Sequence, residues 1–321
     1  MRLQQWFVAC LALGVTVGLV GTVRAVIIPT SFGVGADAEV REEAPTTNRG
    51  SSNEIASRIV DTFPTGHAND GNDRMSLIYL KFDITGQGPL GTKKTAVRLT
   101  YRNTNLSPNR ISDTETPDPA FRTGMAFYGL HPDHAGNNWT EGGITYLNAP
   151  GLAPDFNNGT KDHDFIDPDG AGPLVAPLIP LGVKLFPAIG TQNRLPVGGE
   201  FLFQSPALDA LVSSALAKGK TTVTIVTNAV HDGKVPISAW KNFNYLFNPK
   251  EMTTLTVDTG YDSDTTNPSN PVGSPWSGAS NATDANGFSP FSPQLLIVPE
   301  PTTATMLGLA ALGFAFVRRR A

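Results

Sequence analysis

The sequence predicts an all-β fold: an antiparallel β-sandwich with one short helix and long loops. Proline and glycine are abundant, at 26 and 32 of 321 residues, and only 16% of the residues are charged. Several segments carry β-branched and aromatic residues at the two-residue period of a half-buried strand. Frequent turn residues between such segments are typical of many short strands rather than of helices.

Seven segments carry the strand pattern, and the first and last strands are expected near one another. In chain order they are 36–43, 76–84, 95–102, 124–131, 221–230, 251–258 and 293–298. Residues 259–290 consist mainly of small polar residues, glycine and proline, so we expect a long low-complexity loop there. Because a strand follows this loop, residues 26–298 are predicted to form a single domain.

One helix is predicted, over residues 206–218. Ser205 can cap its first turn, and Pro206 suits the first helical position. Gly219 is expected to end it. Leucine, valine and alanine recur at helical spacing, which predicts one apolar face.

The N-terminal segment is predicted to be a secretory signal peptide spanning residues 1–25. Arg2 precedes an apolar run at 6–20, and small residues lead to a cleavage site after Ala25. The run is shorter than the ~20 apolar residues that a spanning helix needs. Cys10 is the single cysteine and lies inside this segment, so the mature chain is expected to hold neither a disulfide nor a thiolate metal site.

The C-terminal segment 299–321 combines a Pro-Glu-Pro sequence, a short apolar stretch and three arginines. Residues 302–317 predict a short membrane helix, and the arginines would remain on the cytoplasmic side. The arrangement resembles the PEP-CTERM sorting signal, which implies recognition by an exosortase, removal of the tail, and a place in the envelope or extracellular matrix. A plain C-terminal anchor is the alternative. The residues concerned are Pro299, Glu300, Pro301, Arg318, Arg319 and Arg320.

The predicted mature chain is acidic. Setting aside the five arginines of the terminal segments and Glu300 leaves 19 basic and 27 acidic residues, a net charge of −8. This sign disfavours binding to a phosphate backbone, so no nucleic-acid partner is expected.

Two glycine-rich stretches imitate nucleotide-binding loops but lack the helix that such loops require. The stretch 86–95 leads into a predicted strand and is interpreted as a hairpin connection, and 33–38 also continues as a strand. His131 and His134 flank a proline that disfavours a shared helical face, so a turn is expected there rather than a zinc site. With no nucleophile motif and no cofactor loop, neither an enzyme nor a bound cofactor is predicted.

One acidic loop could hold calcium, which accepts six to eight oxygen ligands in flexible loops. The loop lacks the bidentate glutamate of an EF-hand, and a solvated turn is the alternative. Its candidate ligands are Asp162, Asp164, Asp167 and Asp169. Glu141 and Asp83 are isolated carboxylates that the sequence cannot pair for glycoside cleavage.

Five stretches, taken in order, resemble the DNRLRE domain of bacterial surface and secreted proteins. They are an opening strand with an Asn-x-Gly turn from residue 36, the "YLKFDI" strand, the "TAVRLTYR" strand, the "NNWTEGGITYLNAPG" segment at 137–151, and the closing "SPQLLIV" strand. The resemblance implies a jelly-roll β-sandwich, and some members of this family are carbohydrate-binding modules. Within the segment at 137–151, Trp139 is expected to pack in the core.

The expected function is therefore that of an exported adhesion or polysaccharide-binding module without catalysis. Sugar stacking needs exposed aromatic faces. The candidates are Tyr128, with Trp240 and Phe243 in a predicted loop, and a place in the core is the alternative for each. A purely structural surface protein is one alternative, and a polysaccharide-degrading enzyme is another.

Overall fold

The computed structural model describes residues 25–42, 44–52, 54–59, 76–104, 123–152, 178–186, 200–231, 243–251 and 291–299. Within these ranges the chain forms eleven strands, one α-helix and two short 3-10 helices. The strands are β1 Val26–Pro29, β2 Ala36–Arg41, β3 Ile55–Ile59, β4 Ser76–Asp83, β5 Lys94–Thr104, β6 Thr123–Leu130, β7 Leu178–Leu185, β8 Glu200–Phe203, β9 Thr222–His231, β10 Phe243–Phe247 and β11 Gln294–Val298. The helices are α1 Pro206–Ala217, η1 Ala135–Asn138 and η2 Tyr146–Asn148.

All strand pairs are antiparallel, and the long strand β5 joins two groups of strands. Its first half pairs with β11 and β8, and β11 pairs in turn with β1. Its second half pairs with β10, which leads through β3, β4, β9 and β6 to β7, while β2 lies against β4. The predicted antiparallel β fold with one helix is confirmed, whereas the jelly-roll order of connections stays a prediction.

The main hydrophobic core lies between the two groups of strands. Ile28, Val97 and Leu295 enter it from the first group, and Leu80 and Phe127 from the second. A second cluster covers the opposite face of β4 and β6, so all eight residues of each of these strands are buried. Side chains along β4 therefore alternate between two apolar environments rather than between core and water.

Helix α1 packs its apolar face on the main core, as the sequence predicts. The Ser205 hydroxyl accepts a hydrogen bond from the Leu208 N–H at 3.0 Å, and Pro206 occupies the first turn. Leu211 and Val212 are buried in the core cluster. Gly219 follows with a φ of 64°, a left-handed conformation that suits glycine and ends the helix.

Six of the seven predicted strands are confirmed, and the seventh, 251–258, lies outside the described residues except for Glu251. The first and last strands of the structure, β1 and β11, pair with each other, but the sequence analysis took 36–43 as the first strand, and that strand pairs with β4. The strands that it missed are β1, β3, β7, β8 and β10.

Two local predictions are wrong. The segment around Phe243 was expected to be a loop, but it forms β10, which pairs with β3 on one side and β5 on the other. The connection over residues 84–93 is not a hairpin, because β4 and β5 do not pair; β10 and β3 lie between them in the strand order.

No helix among the described residues is long and apolar enough to cross a membrane. Several expectations fall outside the described residues: the signal peptide up to residue 24, the loop at 259–290 and the membrane helix at 302–317.

Candidate functional site

The segment from η1 to Pro150 covers the outer face of the second group of strands, and Trp139 anchors it. Its side chain is 8% exposed, which confirms the predicted core role. The Trp139 indole N–H donates to the Thr224 hydroxyl at 3.2 Å, and the ring meets Tyr79 edge-on at a centroid distance of 6.1 Å. The Lys81 ammonium lies 4.7 Å from the ring centroid and donates to the Trp139 carbonyl. Trp139 thus joins this segment to both β4 and β9.

Hydrogen bonds hold the rest of the segment in one conformation. The Asn148 side chain accepts from the Thr145 N–H at 2.7 Å and donates to the Gly143 carbonyl at 2.9 Å. The buried Tyr79 hydroxyl donates to the Pro150 carbonyl at 3.0 Å. The Asn-Ala-Pro sequence at 148–150 therefore fixes the end of the segment to β4.

The Asn-Arg-Gly turn at 48–50 docks directly on the same segment. The Asn48 side-chain amide donates to the carbonyls of Glu141 and Ile144, at 2.6 and 2.7 Å. A Cβ atom on Gly50 would lie 2.3 Å from the Glu141 carbonyl oxygen, so only glycine allows this close approach. Two stretches that the resemblance connects only by sequence order are thus in contact.

A cluster of charged side chains lies beneath this contact. The Lys250 ammonium pairs with the Glu141 carboxylate, and Glu251 lies next to both. Asp37 on β2 is fully buried; it accepts from the Thr30 hydroxyl at 2.5 Å and from the Lys250 backbone N–H at 3.1 Å. Its second oxygen, Oδ1, is buried without a hydrogen-bond partner among the described residues.

Burial controls the ionisation of this cluster. It raises the pKa of Asp37 to about 7, with Glu141 adding to the rise and Thr30 and Lys250 opposing it. Burial, together with the neighbouring carboxyls of Glu141 and Asp37, also raises the pKa of Glu251 to about 9. Burial lowers the pKa of Lys81, against the attraction of Glu141. Protonated carboxyls thus limit the repulsion among three acidic groups.

An open cleft of about 560 Å³ runs beside this cluster. Its walls combine a lysine, a glutamate, two asparagines and several threonines with exposed backbone. Its lining residues are Val34, Gly35, Ala36, Lys81, Asn137, Asn138, Thr140, Glu141, Gly142, Thr221 and Thr222. Asn138 and Thr140 are exposed, and neither side chain makes a hydrogen bond within the described part of the chain.

The aromatic residues predicted to contact sugars do not gather at this cleft. Tyr128 is 8% exposed and packs in the second cluster, so it takes the alternative place in the core and does not present an exposed ring to a sugar. Phe243 begins β10, and the description of that strand does not extend to its side chain. Trp240 lies outside the described residues.

The predicted calcium ligands Asp162, Asp164, Asp167 and Asp169 also lie outside the described residues, as do the sorting residues Glu300, Pro301, Arg318, Arg319 and Arg320. Pro299 is described and follows β11 directly. Among the described residues, no group of three His, Cys, Asp or Glu side chains could hold a metal ion.

Two further expectations from the sequence concern Asp83 and His134. The Asp83 carboxylate accepts hydrogen bonds from the backbone N–H groups of Val34 and Thr85. Burial would raise the pKa of Asp83, but its bonds to Thr85 and Val34 outweigh burial and lower it. His134 caps η1 by accepting from the Gly136 N–H at 3.0 Å, which supports a turn there.

Sequence reasoning missed Asp37, Lys81, Lys250 and Glu251 as site residues. Asp37 and Lys81 sit within predicted strands, where a charged residue normally faces water. A charge at a strand position whose neighbours are apolar on both faces is the signal that could have identified them.

Residues 298–320 match the family described as the PEP-CTERM protein-sorting motif, so the predicted sorting signal is confirmed. Such a motif implies export to the cell surface that depends on an exosortase. A search of curated proteins finds no match to the chain.

Proposed function

We propose that the folded domain is a non-catalytic adhesion module that binds an extracellular polysaccharide in the cleft beside the Trp-Thr-Glu segment. The observation that carries this proposal is the polar cleft wall on a segment fixed by Trp139 and Asn48. The C-terminal motif indicates export to the cell surface, where a protein meets extracellular polysaccharide.

The chemistry of the cleft suits the hydroxyl groups of a sugar chain. Asn138 can donate and accept hydrogen bonds through its amide, and Thr140 can do both through its hydroxyl. Glu141 and Lys81 add one charged acceptor and one charged donor to the same wall. Because the supporting segment is already ordered by its own hydrogen bonds, binding would cost little additional conformational entropy.

A neutral or weakly charged sugar chain fits this wall better than a strongly anionic one. Glu141 is already paired with Lys250, and Lys81 donates to the Trp139 carbonyl. Neither charge is therefore fully available to a ligand. The acidic balance of the mature chain, −8, would also repel a polyanion.

The test is binding of the exported protein to a glycan array, with and without calcium. Asn138→Ala and Thr140→Ala should each weaken binding severalfold, because each removes one orienting group from the cleft. Ser213→Ala, on the exposed side of α1, is the matched control and should bind as the parent does. Binding that both cleft variants leave unchanged would contradict the cleft assignment, and a flat array would favour the purely structural alternative.

The enzyme alternative is tested on the same preparation. Polysaccharides that bind are incubated with the protein and scored for new reducing ends. We expect none. Turnover that is abolished by Glu141→Gln would instead assign a catalytic role to this cleft.

A further inference from the structure

The sorting motif begins on the last residue of the folded sheet. Strand β11 ends at Val298, which pairs with Lys94 on β5, and the matched motif starts at the same residue. Only residues 299–301 therefore separate the end of β11 from the predicted membrane helix at 302–317. Whichever surface surrounds Val298 must lie close to the lipid while the tail is in place.

The pairing of the strands shows which residues form that surface. Strand β4 ends at Asp83, opposite Thr222 at the start of β9, and the 84–93 connection then leads to Lys94 beside the end of β11. The end of α1 joins the same surface, because only residues 218–221 separate it from β9. We call this surface the exit end of the domain, formed by the 84–94 connection and the 218–221 turn.

The exit end is rich in lysine, unlike the chain as a whole. Of the seven lysines in the described ranges, four lie here; they are Lys93, Lys94, Lys218 and Lys220. The carboxylates that face them within the described ranges are the partly buried Asp209, which is 3.5 Å from Lys94, and the exposed Asp133, which pairs with Lys218 and Lys220. The buried Asp83 is occupied by backbone N–H groups. Counted over the described residues, four ammonium groups against these two carboxylates leave a local surplus of two positive charges, in a protein whose predicted mature charge is −8.

We infer that the exit end is a membrane-contact surface, whose lysines bind anionic lipid headgroups while the sorting tail holds the domain at the bilayer. Lysines close to an anionic surface are attracted to it within about a Debye length. The short connection at 299–301 keeps them near the bilayer and acts as a high effective concentration. The inference rests on the matched sorting motif and is independent of sugar binding.

The test uses the full chain with its tail retained, inserted into vesicles of phosphatidylglycerol or of phosphatidylcholine. Replacing Cys10 by serine leaves no native thiol, so one introduced cysteine can carry a fluorophore. Thr92→Cys places the label on the exit end, and Val183→Cys places it far along β7 at an exposed position. A lipid-borne quencher should reduce the Thr92 signal severalfold more than the Val183 signal, and more strongly in phosphatidylglycerol.

Two changes should abolish the difference between the labels. Lys93→Glu should reduce quenching at Thr92, whereas Lys184→Glu on β7 carries the same charge change and should not. A flexible linker of about ten Gly and Ser residues inserted after Val298 spans roughly 17 Å, beyond the Debye length of about 8 Å, and should weaken the contact. Equal quenching at both labels, or quenching at Thr92 that neither lipid charge nor Lys93→Glu alters, would overturn the inference. Thermal unfolding of each variant confirms that the domain remains folded.

Discussion

Val26, the first residue of β1, lies directly opposite Ile297 in β11. The predicted signal-peptide cleavage site after Ala25 and the sorting motif from Val298 are thus neighbours across one pair of strands. Cleavage after Ala25 would leave Val26, the first residue of β1, as the first residue of the mature chain.

The contribution of β1 to stability can be measured at two adjacent residues that face opposite ways. Ile28 is 2% exposed in the main core, whereas Ile27 is 52% exposed. Ile28→Ala should lower the free energy of unfolding by about 2–5 kcal/mol, as for other buried isoleucines. Ile27→Ala should change it by less than about 0.5 kcal/mol. Denaturant titration measures both, and equal effects would mean that β1 does not pack on the core.

The docking of the 48–50 turn depends on the Asn48 amide. Asn48→Ala removes both donors to the Glu141 and Ile144 carbonyls and should cost about 1–2 kcal/mol. Thr46→Ala, at an exposed position of the same segment, is the control and should be neutral. Faster amide hydrogen exchange at residues 141–147 should accompany the Asn48 change. Unchanged exchange there would show that the turn does not hold this segment.

The sequence predicts the strands in which apolar and polar residues alternate strongly. It does not predict what covers each face of those strands. The pattern of β4 is clear in the sequence, yet its second face is covered by the 135–150 segment, which has the composition of a loop. The short strand β1 has only four residues, too few for a period to be recognised. Asn244 interrupts the apolar pattern of β10, so pairing with strands on both sides decides its structure.

The charged cluster could not be predicted, because its members are distant in the sequence. Asp37 and Lys250 are hydrogen-bonded across 213 positions. Glu141 was identified as an isolated carboxylate, and nothing local indicates that Lys250 is its partner. Such contacts depend on which strands pair and in what register, and the spacing of residues along the sequence does not reveal this.

Trp139 is expected to be the main stabilising residue of the segment that bears the cleft. Trp139→Ala should cost about 3–5 kcal/mol through the cavity that it leaves. Trp139→Phe retains part of the ring packing and loses the bond to Thr224, so its cost should be intermediate. Thr140→Ala, next in sequence and exposed, is the control for stability. A Trp139→Ala protein as stable as the parent would contradict its place in the core.

The stability of the domain should rise as the pH falls from 8 to about 5. The pKa of Asp37 is about 7 in the folded protein against an ordinary value of 3.8. Between these values the unfolded chain has lost a proton that the folded chain keeps, so stability decreases as the pH rises. Glu251, with a pKa raised to about 9, acts in the same direction. Hydrogen bonds from Lys218 and Lys220 lower the pKa of Asp133 to about 2. Asp133 therefore does not titrate in this window.

Asp37→Asn separates the contribution of Asp37 from the others. The amide keeps an acceptor for Thr30 and Lys250 but cannot ionise, so the melting temperature of the variant should depend less steeply on pH than that of the parent. Thermal unfolding at pH 5, 6, 7 and 8 measures both slopes. A parent protein whose stability is constant over this range, or a variant with the parental slope, would show that Asp37 is not the titrating group.

Replacing Pro299, Glu300 and Pro301 with alanine should leave an unprocessed chain in the membrane of a host that carries the exosortase. Val298 is kept, because it belongs to β11 and its pairing with Lys94 contributes to the fold. The matched motif contains all three replaced residues, so the change removes the recognition sequence without altering the described strands. The control replaces Thr302 and Thr303, which follow the Pro-Glu-Pro sequence, and should be processed normally. Intact-protein mass and membrane fractionation report the outcome, and a triple variant with the mass and location of the parent would show that Pro-Glu-Pro does not direct sorting.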